Sequence, residues 1–316
     1  MKKVKIILTV SCCFLVTAIL YVYLCLIFSP KSIHDSGGTT YYRGMGFLAE
    51  PRNSIDVMLY GNSDIYSGFA PAKLFKKYGY TSYTSGTALQ TIGDINCLLK
   101  KTLKTQAPKV AILEVDCLYE KRNKAINDSN FLFAPFVFHV RWKELRLSDF
   151  YTIPDRTKKY DITKGFVHSN QINKYQAVNY MGNENANPLP IPKRNLRQLK
   201  NFIETCRMNN IEIVFLELPS ASSWNYAKHN FIKDLSKGFN IPFIDLNVKK
   251  INFDIDFSRD FRDKGDHMNV FGAEKATTYI GEYLNDKYSS ILSDKRSYKE
   301  YAYWQDVVDH YRRSNN

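Results

Sequence analysis

From Ile6 to Phe28 the chain carries no charged residue, and the run is apolar almost throughout. A bilayer core about 30 Å thick needs about 20 such residues in a helix, so this run is read as a membrane span. A cleaved secretory signal is the competing reading, but its apolar region covers only about 7–15 residues and ends in a small-x-small site. Here the run is longer and closes on Ile27-Phe28-Ser29-Pro30-Lys31. Lys2, Lys3 and Lys5 precede it and Lys31 alone follows closely, which places residues 1–30 as cytoplasmic N-terminus and single-pass plasma-membrane anchor. Everything later is expected outside the cytoplasm.

The exported part keeps Cys97, Cys117 and Cys206, an odd number without metal-ligand spacing, while Cys12, Cys13 and Cys25 lie in the anchor. No disulfide framework, metal or cofactor is expected from them. The net charge of +13 suits anionic wall polymers or lipid headgroups on that side of the membrane. No zinc-finger or RNA-recognition signature accompanies it, so nucleic acid is not expected as a partner.

Past a polar linker over 31–50, short aliphatic and β-branched runs alternate with stretches of helical period. Ile55–Tyr60, Tyr80–Tyr83, Val110–Val115, Ile211–Leu218 and Ile241–Leu246 read as strands. Ala70–Tyr78, the face of Ile92, Ile95, Leu98, Leu99 and Leu103, the face of Leu196, Leu199, Phe202, Ile203 and Cys206, and Phe231–Lys237 read as helices. This alternation predicts an α/β domain over 51–290, a parallel sheet covered on both faces. Between about 117 and 192 the pattern breaks down into aromatics and asparagines, which reads as an insertion covering one end of the sheet. Residues 291–316 read as a C-terminal amphipathic helix.

Gly61-Asn62-Ser63-Asp64 follows the first strand and precedes a helix, which puts Ser63 at the carboxyl end of a parallel strand, where open α/β sheets bind ligands. A serine hydroxyl attacks only when a base takes its proton. His34, His139, His168, His229 and His310 lie in linker, insertion, loop or tail. His267 stands after the last strand, at the entry to a helix, with Asp263 and Asp266 four and one positions before it. A neighbouring carboxylate fixes the tautomer of such a histidine and stabilises its imidazolium. Taken singly, each segment also reads as helix capping.

Strand-Gly61-Asn62-Ser63 near the start, paired with the late Asp263…Asp266-His267-Met268-Asn269…Gly272-Ala273 block, resembles the SGNH/GDSL hydrolase superfamily. It is similar in particular to membrane-anchored members such as the D-alanine transfer protein of teichoic acid synthesis and the polysaccharide O-acetyltransferases. The resemblance covers most of residues 51–120 and 195–286 and implies a flavodoxin-like three-layer α/β/α fold. It further implies an O-acyltransferase or carbohydrate esterase working through a Ser63 acyl-enzyme with His267 as base. The acceptor would be a cell-envelope polysaccharide or anionic wall polymer, and the acyl donor a multi-pass membrane acyltransferase partner. The superfamily's usual acid, three residues before the histidine, is Lys264 here, so Asp263 and Asp266 both remain candidates, with Asp263 ahead because adjacent side chains point apart. Its oxyanion hole uses the serine amide, a glycine amide that Gly86 would supply, and an asparagine from a third block. Strand three ends Leu113-Glu114-Val115-Asp116 instead, which leaves Asn62 or Gln90 to supply that last donor. The same gap motivates a second reading, an SGNH-fold glycan-binding or assembly subunit without catalysis. A third is a plain α/β domain with no shared site.

Overall fold

A computed structural model describes residues 2–31, 44–121, 132–153, 160–251 and 253–315. His34, most of the stretch read as a linker and parts of the insertion lie outside the described residues. The first helix, α1 (Lys2–Phe28), is 27 residues long and is the one helix among the described residues long and apolar enough to cross a membrane.

Five strands form one parallel sheet: β1 (Val57–Gly61), β2 (Ser82–Gly86), β3 (Val110–Glu114), β4 (Glu212–Glu217) and β5 (Phe243–Asp245). Their order is β2-β1-β3-β4-β5, the flavodoxin-like doubly wound arrangement. β1, β3 and, after Glu212, β4 are buried on both faces and nearly continuous in apolar residues, whereas edge strand β2 buries Ser82, Thr84 and Ser85. Successive residues face opposite layers. Met58, Tyr60, Ala111, Leu113, Ile213 and Phe215 pack against α4 (Ile92–Thr105), α6 (Lys193–Met208) and α7 (Tyr226–Phe239). Val57, Leu59, Val110, Ile112, Val214 and Leu216 pack against α2 (Ser63–Gly68), α3 (Pro71–Tyr78) and α8 (Val270–Tyr288). These are the three layers expected.

The C-terminal helix, α9 (Trp304–Asn315), lies on α3, with Trp304 stacked on Phe75 at 4.7 Å. Two segments depart from the sequence reading. Met45 and Phe47, at the end of the supposed linker, are fully buried in the core, so the domain begins before residue 51. The insertion splits in two. Residues 160–191 run from the β2 edge, where the Thr84 amide donates to the Lys164 carbonyl, past α2 at Val167 and Tyr66, to α7 at Met181 and Tyr226. Residues 132–153, with the one-turn helix α5 (Ala134–Val137), pack against α1, while Ala134 and Phe138 join the core on one face of the sheet.

Candidate active site

β1 and β2 lie side by side with Gly61 opposite Gly86, and both glycines are required by proximity. A Cβ on Gly61 would stand 2.6 Å from Glu114 Cβ, and one on Gly86 would stand 2.7 Å from the Asn62 carbonyl oxygen. The chain therefore turns from β1 into α2 close against the neighbouring strands. Asn62 Oδ1 accepts from the Asp64 amide at 2.8 Å and caps α2, whose first residue is the half-buried Ser63. This turn sits where the strand order reverses between β1 and β3, the usual ligand crevice of such sheets.

His267 arrives from the loop between β5 and α8. Its Nδ1 lies 2.6 Å from Asp263 Oδ2, while Asp263 Oδ1 accepts from the amides of Asp266 and His267 at 2.9 and 2.8 Å. Partial burial works against ionisation of Asp263, but the amide, ring and charge of His267 outweigh it and hold the carboxyl below its ordinary range. Asp266 Oδ2 is 3.4 Å from the same ring nitrogen, and its Oδ1 accepts instead from Ser220, at 3.0 Å, and Ser222 in the loop after β4. Of the two candidate acids, Asp263 holds the ring and Asp266 holds the loop. With a proton on Nδ1 donated to Asp263, Nε2 is left as acceptor, and it faces the turn that carries Ser63, 4.0 Å from Asp64 Oδ1. Among the described residues the Ser63 hydroxyl makes no hydrogen bond to the ring. Catalytic hydrogen bonds are often long in resting enzymes and tighten only with substrate.

Gln90 is buried and its amide is committed inward, donating to the Ser85 carbonyl and accepting from the Thr87 hydroxyl, both at 2.9 Å. It braces the loop after β2 and does not present a donor to the crevice.

Sequence reasoning missed a row of acids behind the turn. Glu114 Oε2 accepts from the Asn62 amide at 2.9 Å and its Oε1 from the Asp116 amide at 2.6 Å. Glu217, ending β4, accepts from the same Asp116 amide at 3.1 Å. Burial, reinforced by the Asp116 charge, pushes Glu114 up to about 8, and burial with the surrounding acids raises Asp64 and Glu217 well above ordinary carboxylates. Asp116 is raised by burial too, although Lys228 pairs with it at 2.5 Å. Beyond them, Asp245 ends β5 and receives the Trp224 indole at 2.8 Å, with His229 Nδ1 at 2.7 Å from the same oxygen. The signal was legible: β3, β4 and β5 each end in an acid that follows apolar residues.

Two groups in this region, Asp263-Asp266-His267 and Asp64-Glu114-Asp116, are close enough to meet one cation. Several of their donors are already engaged, Asp263 by amides and the ring, Glu114 by two amides, Asp116 by Lys228. The arrangement fits proton sharing better than metal ligation.

Neither a protein-family model nor a curated protein matches this sequence. Solved structures similar to it include a GDSL-like lipase from Bacteroides thetaiotaomicron, 11% identical, with a TM-score of 0.42 over 78% of this chain and 97% of the other. Another is a lipase/acylhydrolase from Enterococcus faecalis, 10% identical, with a TM-score of 0.39 over 77% and 100% of the two chains. A psychrotrophic esterase from Pseudoalteromonas sp., inhibited by monoethylphosphonate, is 10% identical, with a TM-score of 0.37 over 74% and 97%.

Proposed function

We propose that this protein is an extracytoplasmic serine enzyme that transfers or hydrolyses acyl esters on a cell-envelope carbohydrate or polymer, held to the plasma membrane by α1. The observation that carries the reading is the seating of His267. Asp263 grips its Nδ1 at 2.6 Å and its Nε2 is turned toward the residue beside Ser63, from which it is far removed in sequence.

In this mechanism Ser63 Oγ attacks the acyl carbonyl carbon while His267 Nε2 takes the hydroxyl proton. The carbonyl π electrons move to oxygen, which the Ser63 and Gly86 amides and the Asn62 side-chain NH₂ receive. As the tetrahedral intermediate collapses, His267 returns the proton to the departing alcohol, leaving an ester on Ser63. An acceptor hydroxyl, or water, then attacks the ester carbonyl as His267 takes its proton, and on collapse the bond to Ser63 breaks while His267 passes that proton to Ser63 Oγ, restoring the serine. The anchor and the net charge of +13 favour an acceptor among envelope polysaccharides or anionic wall polymers, and a multi-pass membrane acyltransferase as donor.

The test is acyl transfer and ester release by the full-length protein and by Ser63→Ala and His267→Ala. Each variant is expected to lose activity by at least about 10³-fold, and undiminished activity in either sinks the mechanism. One observation favours a second reading, a glycan-binding or assembly subunit without catalysis: a carboxylate, Glu114, occupies the strand end from which a third oxyanion donor would come. A fluorophosphonate probe that leaves Ser63 unlabelled while glycan binding persists would select it.

A further inference from the structure

The segment 132–153 folds onto the last turns of α1. The Tyr21 hydroxyl donates to the Leu132 carbonyl and the Tyr23 hydroxyl to the Phe150 carbonyl, the latter at 3.0 Å. Cys25 in the following turn is fully buried in the main core cluster. At 1.5 Å per residue, the 27 residues of α1 extend about 40 Å, about 10 Å more than a hydrocarbon core. With Lys2, Lys3 and Lys5 at the inner headgroups, the acyl layer begins near Ile6 and, about 20 residues on, ends near Cys25. Tyr21 and Tyr23, and the segment bonded to them, then fall at the outer boundary of that layer.

The segment is built for that depth. Its polar interior is closed by the buried Arg141–Asp149 pair at 3.0 Å, and Ala134 and Phe138 are also buried. Outward it presents Phe133, Trp142, Leu147, Phe150, Tyr151 and Ile153, with Leu147 84% and Tyr151 and Ile153 each 77% exposed. Exposed Lys143, Glu144 and Arg146 stand among them, two cations to one anion, with Lys143 Nζ lying 5.7 Å from the Trp142 ring. Aromatic and aliphatic side chains beside lysine and arginine are the composition of a surface at the headgroup–acyl boundary. In water so many exposed large apolar side chains in one short segment are a liability.

We infer that residues 132–153 form a shelf that lies in the outer face of the same bilayer α1 crosses, its apolar side chains among the upper acyl chains and Lys143 and Arg146 at lipid phosphates. This rests on α1 spanning the membrane and is independent of the chemistry at Ser63.

Trp142 provides the test, because the other tryptophans, Trp224 and Trp304, are buried at 2% and 0% exposure. Full-length protein is reconstituted into phosphatidylcholine–phosphatidylglycerol vesicles whose acyl chains are brominated near the head or at mid-chain. The expected result is quenching strongest with shallow bromine, shielding from aqueous iodide, and loss of the quenched component in Trp142→Phe. Leu147→Glu combined with Ile153→Glu should reduce quenching while leaving the melting temperature within a few degrees of the parent. Protein that floats with the vesicles while Trp142 stays unquenched and open to iodide overturns the shelf alone, as expected if a protein partner covers this face. Protein that does not float overturns the anchor and the shelf together.

Discussion

Asp263 and Asp266 both approach the His267 ring, yet their other partners separate their roles. Asp263 is tied to the loop's own amides and to Nδ1, so Asp263→Asn should misorient or mis-tautomerise the ring and lower turnover by about 10²–10⁴-fold with little change in KM. Asp266→Asn, which loses part of the tie to Ser220 and Ser222, should cost about tenfold or less, and equal losses in a steady-state assay would refute the assignment. Behind the turn the raised acids impose a pH dependence on stability. Glu114 titrates near 8 when folded, against about 4.5 when unfolded, so the folded state binds the extra proton. That contribution is favourable below the unfolded value and is lost progressively as pH rises to about 8. Asp64 and Glu217 act in the same direction. The melting temperature should therefore fall between about pH 5 and pH 9, and the fall should be shallower in Glu114→Gln; a melting temperature rising over this range would contradict the protonated cluster.

At the scale of elements, α8 is fixed by one residue. Asn269 Oδ1 caps it by accepting from the amides of Phe271 and Gly272, and its Nδ2 donates to the carbonyls of Gln171 and Arg259 at 3.0 and 2.7 Å. Loss of a cap and of two part-buried hydrogen bonds in Asn269→Ala should cost about 2–3 kcal/mol, read by chemical denaturation. Because His267 lies two residues upstream, activity should fall further than Asp266→Asn makes it fall. The strands and long helices were legible because Leu199, Phe202, Ile203 and Cys206, or Val110 to Leu113, repeat apolar residues at the period of the element they form. The meeting of the Ser63 turn and the His267 loop was legible through their places at element junctions. The roles of Asp263 and Asp266 were not, because those depend on Ser220 and Ser222 approaching from another loop. Glu114 read as the absence of an asparagine, since nothing in a strand's sequence reveals which amides its last side chain will meet.

Across the whole molecule, one buried ion pair joins three distant stretches. Lys164 Nζ lies 2.7 Å from both carboxylate oxygens of Glu50, with the rings of Tyr160, Tyr303 and Trp304 4.5, 4.8 and 5.0 Å away, and neither charged side chain is exposed. Burial pushes Glu50 up and Lys164 down despite their attraction, so much of the pair's worth lies in not leaving one partner alone. Glu50→Gln or Lys164→Met should each destabilise by about 3–5 kcal/mol, and the double variant by much less than the sum; additive losses in a double-mutant cycle would show the partners to be independent. The seating of Cys25 in the core has a different reach. A catalytic head on a loose tether sweeps a hemisphere, and its encounter rate is set by tether length. With the last turn of α1 built into the domain, the proposed mechanism would hold Ser63 at one altitude above the lipid. Its kinetics should follow the areal density of substrate in that thin layer, saturating with molecules per unit of membrane and not per litre.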